Sequence, residues 1–228
     1  MNDPSNCLII APHPDDEVLG CGGMMARYAA MDVNVYVAIV TNGHLGAPEL
    51  FKKEGTEKVR SEALKAHSLL GVKETRFLDF PAPRLDTVPI YKVAGAINEL
   101  IQQYSVDELL IPHRGDIHKD HTISYDASLV AARPVGNHVV KRIMTYETLS
   151  ETEWAPPLPG AQFIPNTFVS VEPFLENKLE AFRCFTTQVK TFPHPRSEEG
   201  ITHLARLRGS TVGHKAAEAF HLIRMIKD

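Results

Sequence analysis

Residues 33–41, "VNVYVAIVT", constrain the fold of this chain more than any other stretch. The run is β-branched and nearly all apolar, with no polar residue on alternate positions. A strand with one wet face alternates; a strand covered on both faces does not. Such a strand belongs inside a parallel sheet with helices above and below it.

The flanking patterns agree. "CLII" leads into a predicted helix over 17–30, whose Val18, Leu19, Met25 and Tyr28 suit one buried face. Residues 53–70 form a charged amphipathic helix that Gly71 closes at a C-cap position. "ETRFLDF" reads as a third strand ended by Pro81 and Pro83, residues 91–104 as a helix, "VDELLIPH" as a strand and 121–132 as another helix. This β-α-β-α order implies an α/β fold with a mostly parallel sheet and helices on both faces. "KRIMTYET" and "TFVSVE" add later strands around the Pro-rich loop "EWAPPLPG". A helix over 173–185 and a final helical region ending in "AAEAFHLIRMI" complete the expectation. With no internal repeat and no linker, residues 1–228 read as one domain.

Composition excludes several classes of function. A formal net charge of -4 and the lack of a basic run argue against a nucleic-acid surface. No apolar stretch reaches the roughly 18–20 residues that span a bilayer, and "MNDPSN" lacks the basic and apolar parts of a signal peptide. Cys7, Cys21 and Cys184 are odd in number and form no C-x-x-C, so they read as small apolar residues of a reducing compartment, the cytoplasm.

In parallel sheets ligands bind beyond the carboxyl ends of the strands. Two junctions there are dense in chemistry: "LIIAPHPDDE" after the first strand and "LLIPHRGDIHKDH" after the fourth. Asp15, Asp16 and Glu17 crowd one helix start, where their charges repel unless a cation compensates them. A dinucleotide is excluded: G-x-G-x-x-G does not occur, and the acids occupy the place of a pyrophosphate. His13 and Asp16 stand three apart across a turn held by Pro14, and "HKDH" supplies His118 and His121. Two histidines, one carboxylate and a water make a catalytic zinc shell with an open position. The plainer alternative is solvated loop residues, with Asp16 stabilising a helix N-terminus.

"APHPDDEVLGCGG" with a later "HKDH" resembles the zinc-dependent de-N-acetylases of the PIG-L/LmbE type. "VTNGHLG", "RSEALKAHSLLGV" and the C-terminal "HPRS" extend the resemblance over most of the chain. It implies a Rossmann-like fold and hydrolysis of the N-acetyl group of an N-acetylglucosamine-type sugar or small conjugate. Carried over by position, the metal ligands fall on His13, Asp16 and His121, the ion being zinc or another divalent metal. The general base falls on Asp15, an acid or oxyanion stabiliser on His118, and the carboxylate that orients and charges His118 on Asp120. Zinc lowers the pKa of bound water to roughly 7, and a neighbouring carboxylate takes the remaining proton. The resemblance also implies a homo-oligomer, a trimer or hexamer, acting on a small-molecule sugar without nucleic acid or membrane.

Other residues carry secondary expectations. Glu17 either supports a metal ligand from behind or caps the helix. Arg60 and Glu62 match a position that faces the sugar, against a solvated helix surface. Thr41 and Gly43 line the pocket or simply make a turn, and His194 closes the site from the C-terminal region or is an ordinary loop histidine. Sugar-specific relatives carry an acid just after the third strand, where this chain reads "FPAPRL"; Asp86 is the nearest substitute. Two rival readings remain: an amidase for a larger acyl group, and a metal-dependent sugar receptor without turnover.

Overall fold

A computed structural model describes residues 3–135 and 137–227 of the chain. Its centre is a seven-stranded sheet: β1 (Asn6–Ala11), β2 (Asn34–Asn42), β3 (Glu74–Pro81), β4 (Glu108–Pro112), β5 (Arg142–Tyr146), β6 (Thr167–Ser170) and β7 (Ala217–Met225), in the spatial order β3-β2-β1-β4-β5-β7-β6. The five strands from β1 to β5 run parallel, and β7 runs antiparallel to both β5 and β6. The strand order reverses direction between β1 and β4, the place where open α/β sheets bind ligands.

Among the described residues seven α-helices accompany the strands: α1 (Asp16–Ala29), α2 (Gly43–Gly46), α3 (Lys53–Leu69), α4 (Ile90–Gln103), α5 (Lys119–Ala131), α6 (Leu175–Arg183) and α7 (Glu198–Thr211). The alternation within β1 sorts the two cores. Cys7, Ile9 and Ala11 join α1, Phe182, Phe185 and Ile201 on one face. Leu8 and Ile10 join Ile97, Leu100 and Ile101 of α4 and Ala127 of α5 on the other. The buried run of β2 is therefore covered twice, as its composition demands. None of the described helices is long and apolar enough to cross a membrane.

Helix α1 lies hard against the sheet. A Cβ at Gly20 would run into the ring of Tyr146, so only glycine permits this approach. Gly71, at φ 73°, turns the chain out of α3 in the left-handed conformation expected of a C-cap glycine.

Two elements differ from the sequence expectation: the short helix α2, where the sequence reads as a pocket wall or a turn, and the C-terminal segment. The helical region ends with α7 at Thr211, and "AEAFHLIRM" is strand β7 rather than helix. Its Ala217, Ala219 and Phe220 are buried between two neighbours, β5 and β6. Pairing on both sides overrides a helical reading of so short an apolar run.

Candidate active site

The carboxyl ends of β1 and β4 converge as the topology requires. The turn after β1 and the start of α1 deliver His13, Asp15 and Asp16, and the turn after β4 and the first turn of α5 deliver Asp116, His118, Asp120 and His121. His13, Asp16 and His121 each present a ligand atom, all within 4.8 Å of one another. Asp16 Oδ2 accepts the His13 backbone N–H at 2.9 Å and lies 3.3 Å from His13 Nδ1 and 3.2 Å from His121 Nε2. Asp16 and His121 are fully buried.

Two of these atoms make no hydrogen bond although buried: Asp16 Oδ1 and His121 Nε2. Buried polar atoms are rarely left so, because losing water without replacement costs about 1–3 kcal/mol each. His121 explains its own orientation. Its Nδ1–H donates to Asp116 Oδ2 at 2.8 Å, which fixes the tautomer and turns the Nε2 lone pair toward Asp16. Asp116 is itself held by the hydroxyl of Thr152 at 2.6 Å. A neutral imidazole lone pair, a carboxylate and a second histidine make a donor set that fits a divalent cation.

The electrostatics point the same way. Burial opposes a charged Asp16, but the His121 and His13 rings, when protonated, outweigh it and hold the carboxyl well below its usual range. Burial also pushes His13 down, yet hydrogen bonds to Asp120 and Asp16 lift it to about 9. Protons and a metal ion compete for these lone pairs, so binding of an ion here would release protons.

Asp15 is next to the cluster without belonging to its three ligands. It is 2% exposed and sits at φ 111°, a left-handed backbone that a non-glycine residue seldom takes. Burial raises its carboxyl to about 8, against the pull of Arg196, with Asp16 and Glu17 adding to the rise. Arg196 Nη1 donates to Asp15 Oδ2 at 3.0 Å. The guanidinium is held in turn by Ser150 Oγ at 2.7 Å and Gln188 Oε1 at 2.9 Å.

A cavity of about 440 Å³ opens over these groups, walled by His13, Asp15, Thr41, Gly43, Arg60, His118 and Arg196 among others. Thr41 and Gly43 thus lie in the wall, Thr41 with its hydroxyl donating to the Pro12 carbonyl at 2.7 Å. Arg60 lies over the Phe77 ring, 4.1 Å from its centre, and pairs with Asp79 at 2.9 Å. Glu62 faces away, accepting a hydrogen bond from Thr186 at 2.6 Å. Asp86 is exposed and outside the cavity wall, so it does not supply the expected acid.

Two expectations need correction. His194 does not reach the site: it packs edge-on against Trp154, and its Nδ1 accepts the backbone N–H of Arg196 at 3.1 Å. The contribution of "HPRS" is Arg196. Asp120 does not chiefly serve His118 either. Its Oδ2 accepts from His13 Nε2 at 3.1 Å and its Oδ1 from the Leu85 N–H, while His118 Nδ1 stands 4.0 Å away. His118 caps α5 by accepting the Asp120 N–H at 3.2 Å, which leaves the proton of the neutral ring on Nε2. Burial first, and then the charge of His13, push His118 down to about 4; Asp120 offsets only part.

Residues 8–132, more than half of the chain, match the family described as PIG-L, GlcNAc-PI de-N-acetylase. The chain belongs to this family. An uncharacterized deacetylase, YaiS, of Escherichia coli (strain K12) is 28% identical over 188 residues, covering 80% of this chain and 91% of its own. The diacetylchitobiose deacetylase of Thermococcus kodakarensis is 25% identical over 244 residues, covering 98% and 85%. Among solved structures, N,N'-diacetylchitobiose deacetylase from Pyrococcus horikoshii superposes with a TM-score of 0.78 at 21% identity, covering 97% of this chain and 84% of that one. That likeness is one of fold, and it agrees with the α/β architecture described above.

Proposed function

We propose that this PIG-L family member is a metal-dependent hydrolase that removes the N-acetyl group from an N-acetylglucosamine-type amino sugar or a small conjugate of one. The observation that carries the reading is a buried carboxylate, Asp15, standing outside a three-residue ligand cluster and facing a cavity large enough for a sugar. Relatives named as sugar deacetylases support the substrate class.

His13, Asp16 and His121 would hold the ion, which we take to be zinc; it would act as a Lewis acid and lower the pKa of water at the site. The remaining work falls to the protein. Asp15, anchored by Arg196, takes a proton from the water that attacks the acetamide carbon. The Nε2–H of His118 is a neutral donor at the cavity wall, placed to bond the carbonyl oxygen as it gains charge. The C–N bond then breaks, and the proton held by Asp15 passes to the departing amine. Water and the amide are thus converted to acetate and a primary amine.

An acetate-release assay over N-acetylglucosamine, its aryl glycosides and diacetylchitobiose tests the reading. The expected result is acetate and amine in equal amounts, abolished by chelator. Preference for longer N-acyl chains would favour the broader amidase, and tight sugar binding without product would favour a receptor. We also place the protein in the cytoplasm as a trimer or hexamer, which light scattering on the purified chain would read.

A further inference from the structure

Glu17 and His67 are fully buried or nearly so, 0% and 2% exposed, and neither lines the cavity. They are joined: His67 Nε2 lies 2.9 Å from Glu17 Oε1. The other ring nitrogen, Nδ1, lies 2.7 Å from the hydroxyl of Thr75 on β3. The other carboxylate oxygen, Glu17 Oε2, accepts the backbone N–H of Asp15 at 3.2 Å.

With a neutral His67 ring, donors and acceptors fit in one direction. A carboxylate only accepts, so His67 Nε2 carries the proton it gives to Glu17. Nδ1 of the neutral ring is then an acceptor, and the Thr75 hydroxyl donates to it. The chain of bonds runs Thr75 O–H to His67, His67 N–H to Glu17, and Asp15 N–H to Glu17, with no donor facing a donor. It ties the edge strand β3 and the far end of α3 to the one residue whose backbone is bent to φ 111°. Strain of this kind, worth of order 1–3 kcal/mol, persists only where surrounding bonds hold it.

From this arrangement we infer that His67, acting through Glu17, is a positioning residue for the reaction: it holds the Asp15 backbone in the conformation that sets its carboxylate between Arg196 and the ligand cluster. Arg196 grips the side chain of Asp15 and Glu17 grips its N–H, so the residue is fixed at both ends. The inference rests on the proposed role of Asp15, and its test has one arm that does not depend on activity.

The first arm is amide hydrogen exchange followed by NMR on the metal-loaded full chain. In His67→Ala the Asp15 N–H should exchange at least about tenfold faster, while amides of Ile9 and Val37 in the sheet keep their rates. Unchanged Asp15 exchange, or equal acceleration throughout, overturns the proposal whether or not the chain is a deacetylase. The second arm is kinetic, with diacetylchitobiose as probe. His67→Ala should lose roughly tenfold or more in kcat with KM within about twofold and metal content unchanged. His67→Gln, which keeps an N–H for Glu17, should recover most of that loss. In an Asp15→Asn background the same His67→Ala change should cost almost nothing, because the two act as one unit. A full, additive loss in that background would mark His67 as merely structural. Should His67→Ala not fold, Thr75→Val removes only the far hydroxyl, and a loss of about two- to fivefold in kcat alone is expected; normal kcat there would overturn the proposal.

Discussion

The two ends of the parallel sheet both bury charge, and they treat it in opposite ways. At the amino end, Glu108 of β4 is fully buried, yet its carboxylate accepts from Tyr28 at 2.7 Å and from the Arg142 guanidinium, which also donates to Tyr28 at 3.2 Å. Both charges of this group have their partner. At the carboxyl end, Asp16 and His121 are just as deep, but Asp16 Oδ1 and His121 Nε2 make no hydrogen bond. A closed network such as Glu108–Arg142–Tyr28 holds strands together. An open one, in which His13, Asp16 and His121 present ligand atoms within 4.8 Å of one another, has capacity for a further partner. Burial alone thus does not separate the two ends; the convergence of ligand atoms around unsatisfied ones does.

That contrast can be broken by substitution, and the largest effect belongs to the ligands. His121→Ala should leave the chain folded but without its divalent ion and without measurable turnover, as read by elemental analysis and acetate release. Equal metal content in variant and wild type would erase the difference between the two ends.

Asp15→Asn comes next. It should keep the ion and lose on the order of 10²- to 10⁴-fold in kcat, the usual scale for a general base. A variant that loses its ion would instead make Asp15 a ligand.

At the other end the consequences should be the reverse. Glu108→Leu leaves Arg142 buried without its acid and should cost roughly 3–5 kcal/mol in urea unfolding. Its kcat and metal content should stay at wild-type values, and a specific loss of metal would show that the two ends are not independent.

The smallest effect is expected at Arg196. Replacing it with alanine removes one charged hydrogen bond from Asp15, worth about 1.5–3 kcal/mol, so kcat should fall roughly ten- to a hundredfold. Arg196→Lys should fall between, because one ammonium cannot serve Asp15, Ser150 and Gln188 in the planar geometry of the fork.

The carboxyl-end cluster is legible in the sequence for a local reason. His13 and Asp16 share one turn, His118 and His121 share another, and a parallel sheet brings such turns to one edge. The elements from β1 to α5, apart from the short α2, are legible on the same grounds, each long and periodic enough to declare its type. What escaped was held by distant partners. Arg196 meets Asp15 across 181 positions, and His67 meets Glu17 across 50. Neither "FPHPRS" nor the charged surface of α3 carries a local mark of that meeting. Asp116 lay in plain view in "HRGDIHKDH", but its bond to His121 depends on how the loop before α5 folds back. Strand β7 was misread because its apolar spacing suits a helix as well, and only β5 and β6 on either side decide it.

The central claim is that the open cluster of His13, Asp16 and His121 binds one ion that the hydrolysis requires. The direct measurement is a stoichiometric reconstitution. The chain is stripped with chelator, zinc is returned in fractions of an equivalent, and acetate release from diacetylchitobiose is followed at each step. The account predicts that activity vanishes on stripping, rises linearly and breaks at one equivalent per chain, with His121→Ala flat throughout. Full activity after stripping, or an equal return of activity in His121→Ala, would contradict it.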